Sequence, residues 1–402
     1  MRGSWVSRTG RNHPFAATVV TARRSRVLVD WHHGAPRRQW LDAVGGAASV
    51  GLQGGARDKV LIEASRALRR ENRTVTMTHT SYGSPDLTSL SAAIQPELPF
   101  TDPWTGTLQL DGAAAVRAAC ELLRPPEGRV AVCAACYHGP AISTAAAGAL
   151  TYPIPTDDPE ADRHALRSFL RDASPGVVLV EPQWGSSRLA RYWNTELLRW
   201  FVVEAKQRGW RVCADEVMCG MGRHGGGALF ASKAHGLPVD GVVFGKSITS
   251  GTTPLAGAVV RRECVSSYAP TERHTFSGAS PVAIAAAAAT LRAVDATVHA
   301  NITACERVIR ERLREPLASA GIPVHGRGLL WGIEWEPGQE LSVMEQCRRH
   351  GVWPYFIGRG AMVTPALDSD PRALGVSMDL LRRAVTRALR YDRRERSGVA
   401  FL

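Results

Sequence analysis

Short apolar segments rich in β-branched residues alternate along the chain with segments of helical character. Several of the apolar segments are hydrophobic at consecutive positions, which is typical of strands covered on both faces of a sheet. The segments between them carry helix-start signals such as Asn194 and Pro281. This alternation predicts an α/β domain with a mostly parallel sheet flanked by helices. The predicted strands are residues 74–78, 129–133, 177–181, 210–214, 242–244 and 257–260, and the predicted helices are residues 112–124, 194–208 and 281–294.

The pattern changes after about residue 294. An arginine-rich helix, a short set of strands over residues 328–334, a helix near 342–350 and a last helix from about 378 to 391 predict a smaller C-terminal α+β unit. The first 60 or so residues look irregular and are expected to pack with that unit. We therefore expect an N-terminal segment at residues 1–60, a large domain at 61–295 and a small domain at 296–402.

Composition excludes several classes of protein. The net charge is +12, but the basic residues are spread through every segment, with no basic stretch interleaved with aromatic residues and no known nucleic-acid-binding motif. We expect no nucleic-acid partner, since an anionic cofactor, an acidic substrate or arginine-rich codon usage explains the charge equally well. No segment has the length and apolar content of a membrane span or of a signal-peptide core, so no membrane association is expected.

Eight cysteines are too few for a disulfide scaffold in a chain of 402 residues. Most lie in apolar segments, where a thiol behaves as a small hydrophobic group. This usage predicts a reduced, cytoplasmic setting. Cys133 and Cys136 have the spacing of half a zinc site, but no second pair and no histidine completes four ligands, so no metal is expected.

Lysine is rare in this chain, with four lysines against 45 arginines. One of the four, Lys246, directly follows an apolar strand segment, and Asp215 ends another. Because parallel strands place their carboxyl ends along one edge of a sheet, the two side chains can converge. An amine that bonds to an aldehyde and an acid that keeps a ring nitrogen protonated fit the two ends of pyridoxal 5'-phosphate (PLP). Taken singly, Asp215 could start a loop and Lys246 could be a surface residue.

The segments around these residues resemble the class III aminotransferases, PLP enzymes of fold type I. The resemblance covers nearly the whole chain and is most specific in its centre. It is carried by Asp-Glu-Val-Met-Cys-Gly-Met-Gly-Arg-His-Gly at 215–225, Phe-Gly-Lys at 244–246, Pro-Leu-Ala-Gly-Ala-Val at 254–259, Tyr-His-Gly at 137–139, Glu-Pro at 181–182, His-Thr-Phe-Ser-Gly at 274–278, Trp-Leu-Asp at 40–42 and Arg-Gly-Leu at 327–329.

The resemblance implies a set of cofactor contacts. Lys246 would form a Schiff base with PLP and then move a proton as base and acid, and Asp215 would hold the ring nitrogen. Tyr137 and Val217 would cover the two faces of the ring. The backbone N–H groups of Gly112 and Ala113, at a helix start, would bind the phosphate. In the family a threonine at the position of Thr275 reaches in from the neighbouring subunit, which implies a homodimer with shared active sites. His138 is expected to be a structural loop histidine. The position of Glu181 lies by the active site in the family, but its role varies there, so no function is assigned to it.

Four positions depart from the family pattern. Ala114 replaces a usual Glu near the phosphate turn, and the other three concern the cofactor and the substrate. Asp111 replaces a usual Ser or Thr beside the phosphate turn, and would repel the phosphate unless it points away or caps the helix. Met218 replaces a common Gln that bonds the ring hydroxyl. Met362 replaces an Arg that grips a substrate carboxylate in many members. Arg359 is a candidate substitute for that arginine, and Trp31 and Trp184 are candidate pocket residues.

These departures predict that at least one substrate is an amine, aldehyde or ketone without a free α-carboxylate, as in specialised metabolism. The function expected is a PLP-dependent aminotransferase that moves an amino group from a donor to an aldehyde or ketone. One alternative is an aminomutase or racemase on the same scaffold. The other is a non-catalytic protein of the same fold that binds a partner, against which the presence of Lys246, Asp215 and Tyr137 argues.

Overall fold

The fold is built on a central sheet of seven strands, with two four-stranded sheets formed by segments near the two ends of the sequence and one two-stranded sheet. A computed structural model describes residues 19–23, 27–32, 35–43, 45–70, 78–79, 85–139, 148–267 and 278–398. The strands are β1 (Val19–Arg23), β2 (Val27–His32), β3 (Ala35–Asp42), β4 (Thr78–His79), β5 (Trp104–Gln109), β6 (Val130–Cys133), β7 (Leu150–Tyr152), β8 (Val177–Val180), β9 (Arg211–Asp215), β10 (Gly241–Phe244), β11 (Ala256–Arg261), β12 (Gly278–Ala279), β13 (Val324–Arg327), β14 (Leu330–Glu334), β15 (Val352–Trp353), β16 (Tyr355–Ile357) and β17 (Gly360–Val363).

Helices connect most of these strands. A π-helical turn, Arg310–Arg314, lies between the helices Ala296–Ile309 and Glu315–Ser319. The α-helices are α1 (Gly45–Ala48), α2 (Gly54–Arg70), α3 (Pro85–Ile94), α4 (Gly112–Leu123), α5 (Pro159–Asp172), α6 (Thr195–Gln207), α7 (Ala231–Ala234), α8 (Pro281–Ala293), α9 (Ala296–Ile309), α10 (Glu315–Ser319), α11 (Glu340–His350) and α12 (Pro371–Gly398).

The central sheet confirms the predicted, mostly parallel α/β architecture. Its strand order is β5-β11-β10-β9-β8-β6-β7. The pairings from β10 through β9, β8 and β6 to β7 are all parallel, whereas β11 is antiparallel to both of its neighbours. The carboxyl ends of β10, β9, β8 and β6 therefore lie side by side at one edge of the sheet.

Both faces of this sheet are buried, as the continuous apolar segments predict. Along β8, Val177 and Leu179 pack with the helix α4 side of the core, and Val178 and Val180 pack with the α6 side. All four residues are fully buried. Because successive strand residues point to opposite faces, a strand covered on both sides has to be apolar at every position.

The segments near the two ends of the sequence share a sheet. β3 pairs in parallel with β15, with Leu41 opposite Val352 and Asp42 opposite Trp353. The expectation that the first 60 or so residues are irregular was therefore wrong, because residues 19–42 contribute three strands. Their pairing partner lies about three hundred residues further along the sequence, so a local pattern does not show it.

A buried arginine joins these segments to the central part of the chain. The guanidinium of Arg223 donates hydrogen bonds to the carbonyl oxygens of Val50 (3.2 Å), Leu329 (3.2 Å) and Pro365 (2.6 Å). Burial lowers the pKa of Arg223 to about 10, which leaves the side chain charged at neutral pH. One side chain thus connects three distant segments through backbone acceptors.

The predicted helices are present with small shifts at their ends, and α12 begins at Pro371, seven residues before the predicted start. The predicted strand at 74–78 lies outside the described residues except for Thr78. Within the described part of the chain, no single helix is long and apolar enough to cross a membrane; one pair, Pro281–Ala293 with Ala296–Ser319, passes that test jointly and is bent by 72°.

Candidate active site

A cavity of about 1380 Å³ opens at the carboxyl ends of the parallel strands. Ionisable or aromatic side chains at the ends of four adjacent strands line it. Lys246 follows β10, Asp215 ends β9, Glu181 follows β8, and Tyr137 and His138 lie in the loop after β6. The structure therefore brings together the two residues on which the sequence argument rests, at the edge where open α/β sheets bind ligands.

Asp215 is oriented by two hydrogen bonds. Its Oδ2 lies 2.8 Å from Nδ1 of His138, and its Oδ1 accepts from the backbone N–H of Val217 at 3.1 Å. Burial lowers the pKa of His138, but the hydrogen bond to Asp215 and the charges of Asp215 and Glu181 outweigh that effect, and the net result is a raised pKa. The hydrogen bond to Asp215 makes His138 part of the site, a role that the sequence did not reveal.

Lys246 begins a short 3-10 helix, Lys246–Thr249, in an uncommon backbone conformation with φ of +44°. For a residue with a side chain, a positive φ costs energy and is typical of functional sites. Burial lowers the pKa of the Lys246 amine, against the opposing charges of Asp215 and Glu181. A lowered pKa increases the share of neutral amine, which is the form that attacks a carbonyl carbon.

The start of α4 forms a backbone cradle beside these side chains. Asp111 caps the helix, because its Oδ1 accepts from the backbone N–H of Ala114 at 2.9 Å. Capping is one of the two ways in which the sequence allowed an acid at this position. Among the described residues, no acceptor is bonded to the N–H groups of Gly112 and Ala113, which line the cavity. Two free N–H groups at a helix N-terminus are suited to a phosphate.

Glycine is required at the cradle by close contacts. A Cβ added to Gly112 would lie 2.8 Å from Cγ1 of Val217, and one added to Gly139 would lie 2.4 Å from Cβ of Ala113. The start of α4 is thereby packed between the segment after β9 and the loop after β6. Val217 is half-buried and Tyr137 is 45% exposed, and both line the cavity.

The structure makes Glu181 part of the site, although the sequence assigned it no function. Its side chain is buried and lines the cavity, and its Oε2 accepts from the backbone N–H of Gly185 at 2.9 Å. Its Oε1 has no hydrogen-bond partner among the described residues. Burial raises the pKa of Glu181 to about 8, against the lowering effect of His138.

Two of the predicted substrate residues, Trp184 and Arg359, do not line this cavity. Trp184 is buried in the main core with its ring stacked on Trp193 at 5.2 Å, so its assignment to the pocket was wrong. Arg359 does not line the cavity; its side chain is 64% exposed and lies 3.7 Å from Glu334. Arg359 therefore does not replace the arginine that the family pattern has near this point. The side chain of Trp31 and all of Thr275 lie outside the described residues.

The two methionines that depart from the family pattern occupy different places. Met218 lines the cavity, whereas Met362 is fully buried in β17, opposite Tyr355 of β16 and Gly332 of β14. Among the cavity-lining residues that the structure describes, Lys246 is the only lysine or arginine. No group of three or more His, Cys, Asp or Glu side chains in the described part of the chain could hold a metal ion.

The profile of the family described as aminotransferase class III matches residues 180–384, more than half of the chain. The chain belongs to the class III aminotransferases. The matched range contains Glu181, Asp215 and Lys246.

Individual relatives of this class III aminotransferase differ in what they are named for. It is 29% identical to glutamate-1-semialdehyde 2,1-aminomutase of Gemmatimonas aurantiaca over 229 residues, 52% of this chain and 51% of that protein. It is 26% identical to 5-aminovalerate aminotransferase of Pseudomonas aeruginosa over 315 residues, 70% of this chain and 69% of that protein. The match thus spans about half the length of the aminomutase.

A solved amine transaminase from an uncultivated Pseudomonas species has the same fold. It superposes with a TM-score of 0.82 at 19% identity, covering 96% of this chain and 99% of that one. It was solved in its PLP-bound form. The comparison confirms fold type I, and class III aminotransferases use PLP as their cofactor.

The residues at the cavity fit this cofactor. Asp215 is an acid held by two hydrogen bonds, which suits a protonated ring nitrogen. The cradle of Gly112 and Ala113 offers unpaired N–H groups suited to a phosphate, and Lys246 offers an amine. Val217 supplies an apolar surface and Tyr137 an aromatic one for a flat ring.

Proposed function

We propose that this class III aminotransferase moves an amino group from a donor to an aldehyde or ketone acceptor, with PLP held between Asp215 and Lys246. The observation that carries the proposal is the position of these two side chains at the ends of adjacent parallel strands, β9 and β10, in one cavity. When bound, PLP supplies an aldehyde that takes up the amino group and a ring that accepts electron density.

The chain's own residues hold and orient the cofactor. Asp215 would stabilise the protonated ring nitrogen, and His138 holds the carboxylate in place through its hydrogen bond. The N–H groups of Gly112 and Ala113 bind the phosphate oxygens. Val217 and Tyr137 exclude water from the two ring faces.

Lys246 has two roles in this proposal. Its Nζ would hold the cofactor covalently. Because burial lowers its pKa, the same amine would serve as the base and acid that moves a proton from and to the substrate carbon.

The substrate proposal follows from the charges at the cavity. The described lining contains three carboxylic acids, Asp111, Glu181 and Asp215, and Lys246 as its only lysine or arginine. A planar arginine fork is the usual partner of a substrate carboxylate. We therefore propose that at least one substrate lacks a free α-carboxylate, as in specialised metabolism.

The assembly is also a proposal. A homodimer in which Thr275 of one copy completes the phosphate site of the other follows from the family pattern around residues 274–278. The division into an N-terminal segment at 1–60, a large domain at 61–295 and a small domain at 296–402 is proposed with it. The pairing of β3 with β15 supports packing of the first segment against the last.

An aminomutase is the second candidate, favoured by the 29% identity to glutamate-1-semialdehyde 2,1-aminomutase. The two functions differ in stoichiometry. A transaminase needs a donor and an acceptor and shows ping-pong kinetics, whereas an aminomutase converts a single substrate without an acceptor.

The test is a panel of amines and carbonyl acceptors, followed by absorbance of the PLP-loaded protein and by product analysis. We expect amines without an α-carboxylate to change the visible spectrum and to yield product only when an acceptor is present. Strict dependence on glutamate and 2-oxoglutarate would overturn the substrate proposal. Turnover of one substrate without an acceptor would favour the aminomutase.

A further inference from the structure

Glu181 is a buried acid whose surroundings leave half of its hydrogen-bonding capacity unused. The residue is 6% exposed, and its Oε2 is held by the N–H of Gly185 at 2.9 Å. Its Oε1 has no partner among the described residues, although a buried carboxyl oxygen normally has one. An unpaired oxygen at a cavity wall is the expected state of a group whose partner is a ligand.

Glu181 lies two strands away from Lys246, at the edge of the sheet where the cavity opens. Val180 pairs with Ala214, so Glu181 lies beside Asp215 on the next strand, and Lys246 follows the strand beyond. Two strand spacings, about 10 Å, separate the strand ends that carry Glu181 and Lys246. A molecule that reacts at Lys246 can therefore reach Glu181 with a second group.

The free oxygen of Glu181 favours a hydrogen-bond donor as that partner. Gly185, Met218 and Cys136 line the cavity nearby, Asp215 adds negative charge, and His138 acts in the opposite direction by lowering the pKa of Glu181. The built Cβ of Gly185 would lie 3.5 Å from Oε2 of Glu181 and 2.9 Å from Sδ of Met218, so the wall is tightly packed there. An ammonium group that approaches Oε1 donates a hydrogen bond to it and stabilises the ionised carboxylate, against the burial that raises the pKa of Glu181 to about 8.

We propose that Glu181 determines specificity for an amino donor that carries a second ammonium group, namely a diamine. One amino group of the diamine reacts at Lys246, and the other donates to Oε1 of Glu181. The inference rests on the proposed aminotransferase function and adds the substrate class. Glu181 acts here as a specificity-determining residue and takes no part in bond making.

The test compares terminal diamines of increasing length with the monoamines of the same length, on the PLP-loaded wild type and on Glu181→Gln. The rate of the donor half-reaction is followed by absorbance. Wild type should prefer the best diamine over its matched monoamine by about tenfold or more in kcat/KM, mainly through KM, because a charge-assisted hydrogen bond to a buried group is gained. Glu181→Gln should reduce this preference to within about twofold, mainly by raising KM for the diamine.

Glu196→Gln is the matched control, since Glu196 is an exposed acid at the start of α6, outside the cavity. It should keep the wild-type preference. Circular dichroism and a thermal melt establish that Glu181→Gln is folded, and Glu181→Asp provides a second variant that keeps the charge but shortens its reach. Equal rates for diamines and monoamines in wild type, or an equal loss for both in Glu181→Gln, would overturn the inference. If no amine at all changes the spectrum, the proposed function itself fails.

Discussion

Nδ1 of His138 lies 2.8 Å from Oδ2 of Asp215, and both side chains are buried at the cavity. The two residues come from strands that are not neighbours, because β8 lies between β9, which ends at Asp215, and β6, which precedes His138. With the N–H of Val217 on the other oxygen, the acid has one defined orientation. His138 is thus a positioning residue for the group proposed to hold the ring nitrogen of PLP.

Removing this partner should weaken cofactor binding. In His138→Phe, Asp215 loses a charge-assisted hydrogen bond, which corresponds to about 1.5–3 kcal/mol, or about 10- to 100-fold in the Kd for PLP. His138→Asn, which can still donate from a neutral amide, should show a smaller loss. The Kd is measured by fluorescence titration of the apo-protein, with a thermal melt as a check on folding. Equal affinities in the two variants and wild type would contradict this role.

Asp111 should oppose phosphate binding while it stabilises the helix. Asp111→Asn keeps a capping oxygen and removes the charge, so its thermal stability should stay the same and its PLP affinity should rise by about fivefold at low salt. The gain should shrink as salt screens the phosphate. Asp111→Ala should lose about 1 kcal/mol of stability, because the cap at Ala114 is lost. An unchanged affinity in Asp111→Asn would show that the phosphate binds elsewhere.

Gly112 should tolerate no side chain. The Cβ of Gly112→Ala would lie 2.8 Å from Val217 Cγ1, so the variant should lose about 1–3 kcal/mol of unfolding free energy and bind PLP more weakly. The double variant Gly112→Ala/Val217→Ala removes the clash and should recover part of the stability. Gly55→Ala is the matched control, because nothing lies within 4 Å of its added Cβ in α2. Denaturant unfolding gives the comparison; additive effects in the double variant would argue against the contact.

His224 should make the fold sensitive to acid. Burial lowers its pKa to about 3, well below the ordinary value of 6.5. Because the folded protein resists protonation at this residue, its contribution to stability is complete above about pH 6.5 and is lost as the pH falls toward 3, by at most about 1.4 kcal/mol per pH unit. His224→Asn keeps a donor toward the carbonyl of Cys219, 3.2 Å from Nδ1, and cannot be protonated. Its unfolding free energy should fall less steeply than that of wild type between pH 6.5 and 4. Parallel curves would exclude His224 as the source.

The central strands and the meeting of Asp215 with Lys246 could be predicted because they follow from local patterns and one general rule. Strands buried on both faces are apolar at every position, and parallel strands share one edge for their carboxyl ends. The capping of α4 by Asp111 also follows from residue type, since a short acid before a helix satisfies its free N–H groups.

The features that sequence did not predict depend on long-range pairing and on side-chain direction. The strands between residues 19 and 42 are completed by β15, which no local pattern marks. The hydrogen bond between His138 and Asp215 depends on the spatial order of β6, β8 and β9. The sequence of a single segment does not show which strands become neighbours in the sheet. Trp184 lies three residues after the cavity residue Glu181, yet its ring stacks on Trp193 inside the core. Its neighbour Gly185 lines the cavity instead.

The central claim is that Lys246 bonds covalently to the cofactor, and the low lysine content makes it directly testable. The other lysines differ in environment: Lys206 lies 2.5 Å from Asp240, Lys233 bonds the carbonyl of Pro96, and Lys59 is exposed on α2. The PLP-loaded protein is reduced with borohydride, digested and analysed by mass spectrometry, with Lys246→Ala as control. We predict one pyridoxyl group, on the peptide that contains Lys246, and none in the variant. Modification at another lysine, or an unchanged visible band in Lys246→Ala, would contradict the account.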